Sequence, residues 1–89
     1  MKIQVEKQAA ITEEVEIDFP LYRVQQNAFY YRCNSETDIT CVTDLGHIFG
    51  IKKEGLFVEG NIFHWQSKEI TEQEFKDKYN EILTKLTNL

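Results

Sequence analysis

Apolar and polar residues alternate along most of this chain, and only its last quarter changes period. Residues 2–6, KIQVE, place Ile3 and Val5 on one side, and residues 14–19, EVEIDF, repeat the pattern with Val15, Ile17 and Phe19. A period of two is the mark of half-buried strands. QAAITE between them is a weakly specified connection, and Pro20 limits continuous pairing, which predicts a bend or an edge position. LYRV, a turn-like QQN and AFYYRC follow, the last dense in residues that favour strands. Asn34-Ser35-Glu36 fits a short hairpin connection, Glu54-Gly55 a bulged turn after HIFGIKK, and Gly60-Asn61 a two-residue type II′ hairpin. In that last hairpin Val58 faces Phe63 and Leu56 faces Trp65, aromatic pairs that reinforce the register.

In ITEQEFKDKYNEILTKL the period becomes helical: Phe75, Tyr79, Ile82, Leu83 and Leu86 draw one stripe. Its start is signed twice, by Thr71 with Glu74 as a capping box and by Ile70 with Phe75 as a hydrophobic staple. Glu74–Lys78 and Glu81–Lys85 are spaced as favourable i,i+4 pairs. The spacing predicts a helix over about 72–87. The expected fold is therefore α+β: an antiparallel β-sheet of about five to seven strands built from successive hairpins, with the one C-terminal α-helix packed on one face. A small, partly open barrel closed by the helix is the alternative.

Length and charge narrow the picture. A chain of 89 residues buries only about 60–65% of its unfolded surface and supports one core, so residues 1–89 are expected to form a single small globular domain. The net charge is −5, and the first twenty residues hold two lysines against five acids. Phosphate backbones and anionic lipids repel such a chain, which disfavours nucleic acid and membrane as partners. No run reaches signal-peptide or membrane-span length, and the expected location is the cytoplasm, where the two cysteines stay reduced. Eight lysines against two arginines, with only three alanines, hint at an AT-rich gene of bacterial or phage origin.

Candidate chemistry is sparse. Cys33, Cys41, His47 and His64 are zinc-ligand types, but zinc modules space cysteines two to four apart and histidines three to five apart, so no metal is expected. With a three-residue loop at 34–36, Arg32 faces Asp38, Tyr31 faces Ile39 and Phe29 faces Cys41. Cys33 and Cys41 then share a face some four residues apart along the ladder, near 13 Å by strand rise. This exceeds disulfide reach. An enzyme built on Cys41, His47 and Asp44 would have the residue types of an activated nucleophile, yet no loop resembles an oxyanion hole or phosphate cradle, and no cofactor or catalytic residue is assigned.

Two surfaces remain. Phe29, Tyr30 and Tyr31 are consecutive, so alternation sends at least one ring away from the face that buries the others, and Tyr30 is the expected outward one. Tyr22, Arg23, Tyr30 and Arg32 form the first candidate partner-binding surface. Stacking of single-stranded nucleic acid on these aromatics is the alternative reading, with a small enzyme using Cys41 and His47 as another. The second candidate is the acidic face Glu14, Glu16 and Asp18, which also guards an edge. The resulting expectation is a soluble, non-catalytic protein-binding or regulatory module of unidentified partner. An edge strand that could pair with a second copy leaves a homodimer open.

Overall fold

The computed structural model describes residues 2–8, 11–54 and 67–88. Among them, β1 (Lys2–Gln8) and β2 (Ile11–Glu16) pair antiparallel as a two-stranded sheet. The strands β3 (Leu21–Gln25), β4 (Phe29–Ser35), β5 (Asp38–Asp44), β6 (Phe49–Glu54) and β7 (Ser67–Glu69) make a second sheet in the order β6-β5-β4-β3-β7. Every pairing in it is antiparallel, and the helix α1 (Glu72–Thr87) packs on one face. The α+β class and the C-terminal helix read from the pattern are those observed. No helix among the described residues is long and apolar enough to cross a membrane. The turn expected at 54–55 and the hairpin at Gly60-Asn61 lie outside the described residues.

Local chemistry explains most of the element boundaries. The β3–β4 turn puts Gln26 and Asn27 at φ 54° and 53°, with the Ala28 N–H donating to the Gln25 carbonyl at 3.1 Å. Two successive positive φ angles are what a type I′ turn needs to match strand twist. The β4–β5 hairpin departs from the expected register. Ser35 pairs with Asp38 and Cys33 with Ile39, with an irregularity between Cys33 and Ser35, so Tyr31 faces Cys41 and Arg32 faces Thr40. The connection is the two residues 36–37 rather than the three residues 34–36, and the register moves by two. The shift of two keeps every side chain on its face, and Asn34, beside the irregularity, donates to the Asp38 carboxylate at 3.2 Å. Asp38 therefore meets Lys53 of β6, at 3.2 Å, instead of Arg32.

At the helix start, Thr71 Oγ1 accepts from the Glu74 N–H at 3.1 Å while the Thr71 N–H donates to Glu74 Oε1 at 3.4 Å. Ile70 and Phe75 join one buried cluster, as the staple requires. The Ile70 N–H also donates to the Tyr22 carbonyl at 3.1 Å, so the sheet ladder runs up to the first turn of the helix. The expected i,i+4 pairs are replaced. Glu74 is engaged in the cap, Lys78 reaches Asp44 at 2.8 Å and Glu81 at 2.7 Å, and Lys85 Nζ sits 5.5 Å over the Phe49 ring. The i,i+4 pair that forms is Glu72–Lys76, at 2.9 Å.

The core lies on both faces of the second sheet. Beneath α1, Val24, Val42, Ile70, Phe75 and Ile82 are buried together. On the opposite face, Tyr31, Cys33, Ile39 and Cys41 are buried with Ile17, which arrives from the segment after β2, and Phe19 packs against them. This corrects the argument that alternation in Phe29-Tyr30-Tyr31 must expose a ring. Tyr31 is buried, and Tyr30 and Phe29 are half-buried, because each face of β4 has its own cover.

Candidate functional site

The two candidate surfaces are taken apart and partly recombined by the fold. Strand parity sends Tyr22, Tyr30 and Arg32 to the face that α1 covers and Arg23 to the other, so the four do not form one exposed face. The Tyr22 ring lies 5.8 Å from that of Phe75, Lys78 Nζ stands 5.3 Å over the Tyr30 ring, and the Arg32 guanidinium lies 5.2 Å from the Phe75 centroid. Glu14, Glu16 and Asp18 are all exposed, Glu14 and Glu16 on β2 and Asp18 just beyond its end.

An open groove of about 370 Å³ then brings members of both sets together. It runs between the segment 16–20 and the β3/β7 edge, and is lined by Glu16, Ile17, Asp18, Pro20, Leu21, Tyr22, Arg23 and Glu69. Its position follows from the chain path: β2 ends at Glu16, Ile17 dives into the core, and Pro20 closes the bend from which β3 starts. Exposed carboxylates of Glu16, Asp18 and Glu69 rim an apolar wall of Ile17, Pro20 and Leu21.

Arg23 is the single cation of the lining. Its Nε donates to Ser67 Oγ at 3.2 Å and its Nη2 to Ser67 Oγ and the Ser67 carbonyl, both at 3.0 Å. Glu69 is its cross-strand partner. Burial lowers the guanidinium's affinity for its proton, and the Glu69 charge opposes that. Arg23 thus ties the three-residue β7 to β3, and the lining holds three carboxylates beside one guanidinium already engaged by the protein. Ser67 and Glu69 were not legible as site residues, because three residues are too few to display a period.

The residues considered for other chemistry are dispersed. Cys33 and Cys41 are both free and buried, two residues apart along the β4–β5 ladder rather than four. Burial pushes the Cys33 thiol up to about 12. Cys41 faces the core beside Ile17, Asp44 faces the helix and is bonded to Lys78, and His47 is exposed in the β5–β6 turn. His64 lies outside the described residues, and among the described residues no three His, Cys, Asp or Glu side chains are placed to hold a metal ion. No family model, curated protein or solved structure matches this chain.

Proposed function

We propose that this chain is a non-catalytic protein-binding module whose groove beside the β3/β7 edge takes a basic side chain of a partner protein. The observation that carries the reading is the lining itself: three exposed carboxylates around an apolar wall, with the one guanidinium committed to Ser67. A lysine or arginine has the matching shape, an aliphatic stem for Pro20 and Leu21 and a charged head for Glu16, Asp18 and Glu69. A groove of about 370 Å³ lies at the small end of ligand clefts, which span roughly 300–1,000 Å³, and suits one or two side chains rather than a cofactor. Burial of the Cys33 thiol, the separation of Cys41 from Asp44 and the half-buried state of Tyr30 favour binding over nucleophilic catalysis or base stacking.

Isotope-labelled protein titrated with a short lysine- and leucine-containing peptide, and with its glutamate-for-lysine counterpart, tests this. The basic peptide is expected to give saturable shifts at Leu21, Tyr22, Arg23 and Glu69 that weaken with salt. Asp18→Asn and Glu69→Gln should each lower the affinity about two- to fivefold, the scale of an ion pair worth up to about 1 kcal/mol. Equal binding of the acidic peptide, or shifts confined to another part of the sheet, would sink the proposal.

A further inference from the structure

A separate feature lies beneath the helix. In the row that crosses the sheet as Tyr22, Arg32, Thr40 and Lys53, each strand contributes one side chain able to donate a hydrogen bond and none contributes a carboxylate. Two atoms of that row are buried without a partner: Arg32 Nε and Thr40 Oγ1. Thr40 is 1% exposed and is the register partner of Arg32. Residues directly opposite one another on one sheet face are near enough for a single acceptor between them to receive both donors.

The guanidinium is held in place from above. It lies 5.2 Å from the Phe75 centroid and 5.8 Å from that of Tyr79, aromatic faces that orient a cation while giving its N–H groups no in-plane acceptor. The neighbouring acids are spoken for: Asp38 accepts from Lys53 and Asn34, and Glu72 is paired with Lys76. Arg32 itself makes no ion pair among the described residues. An unpaired buried N–H of a charged group is costly, and an oxyanion is the acceptor that relieves it with a charge-assisted bond.

We propose that Arg32 and Thr40 form an oxyanion-binding site under α1, taking a carboxylate or phosphate group of a ligand. Arg32 is half-buried, so such a group approaches along the exposed part of its side chain to reach the buried Nε and Thr40 Oγ1. The site is distinct from the groove and of opposite charge preference, and it stands whether or not the groove binds a basic segment. Arg23 and Arg32 are the two arginines of the chain, so Arg23 serves as an internal control: its Nε is already bonded to Ser67.

The experiment follows the two arginine Nε–H resonances while full-length protein is titrated with inorganic phosphate or with acetate at constant ionic strength. The expected result is a saturable shift at Arg32 with Arg23 unmoved. The anion that saturates at lower concentration identifies the group as phosphate or carboxylate. Thr40→Val should raise the apparent Kd at least fivefold and Thr40→Ser should restore it, a rescue that separates the hydroxyl from any packing effect. Parallel, linear shifts of both arginines would overturn the proposal, as would a long-lived water at Arg32 Nε that persists at the highest anion concentration.

Discussion

The Lys78–Asp44 pair ties the middle of α1 to the end of β5, and it makes a quantitative test of how the helix is fixed to its face. The N–O separation is 2.8 Å, and the two side chains are 21% and 17% exposed. Exposed pairs contribute about 0.2–1 kcal/mol, whereas hydrogen bonds to charged groups shielded from water contribute about 1.5–3 kcal/mol. A pair about one-fifth exposed falls between, so a double-mutant cycle of Asp44→Asn and Lys78→Met should return a coupling of about 1–2 kcal/mol. The single changes are not symmetric. Asp44→Asn leaves Lys78 with Glu81 at 2.7 Å, but Lys78→Met leaves the carboxylate, among the described residues, with the Gly46 N–H at 3.1 Å and also removes the cation above Tyr30. Lys78→Met should therefore be the more destabilising, by about 2 kcal/mol, which for a domain of this size lowers Tm by roughly 8–16 °C. Urea or thermal unfolding of the four proteins followed by circular dichroism gives the cycle. The pH dependence adds a second check. The bond from Lys78, then that from the Gly46 N–H, holds the Asp44 carboxyl below its ordinary value, so its contribution is present above about pH 3.9 and is lost as pH falls through the folded value. Asp44, then Glu81, raises the Lys78 ammonium, so that contribution is present below about pH 10.4 and is lost as pH rises through the folded value. A coupling below about 0.5 kcal/mol at pH 7, or one unchanged at pH 2, would refute the reasoning.

Two further outcomes follow from local features. Thr71→Ala removes the hydroxyl arm of the capping box, leaving the bond from the backbone N–H to Glu74, and should cost about 1 kcal/mol without altering the folded spectrum, as read by thermal unfolding. Burial raises the Cys33 thiol to about 12, so the unfolded chain ionises first. The contribution is complete below the unfolded value near pH 8.5 and is lost as pH rises toward 12, at up to about 1.4 kcal/mol per pH unit. Denaturant titrations from pH 7 to 11 should show this slope in the native protein and lose it in Cys33→Ala. An identical slope in both would reject the assignment.

The helix was legible in the sequence because its determinants are local. The cap bonds join residues three apart, the stripe repeats every three or four residues, and α1 spans Glu72–Thr87 as the spacing predicts. Strand alternation in the same way fixed which side chains share a face, so the β4–β5 register could shift by two without moving Cys33 or Cys41 to the other side. The candidate site was only half legible. Tyr22, Arg23, Glu16 and Asp18 were singled out as parts of two surfaces, whereas the groove that joins them depends on Glu69, from a strand too short to show a period.

The sequence by itself determined the element types, the start of the helix and the pairing parity, since hydrogen bonds and periodicity within a few residues specify them. Tertiary structure decided which face α1 covers. Both faces of β4 and β5 are apolar, with Tyr30 and Val42 on one side and Tyr31, Cys33, Ile39 and Cys41 on the other, so no alternation pattern could choose between them. The choice rests on contacts between residues distant along the chain: Ile17 and Phe19 against one face, Phe75 and Ile82 against the other, and Lys78 reaching Asp44 across 34 residues.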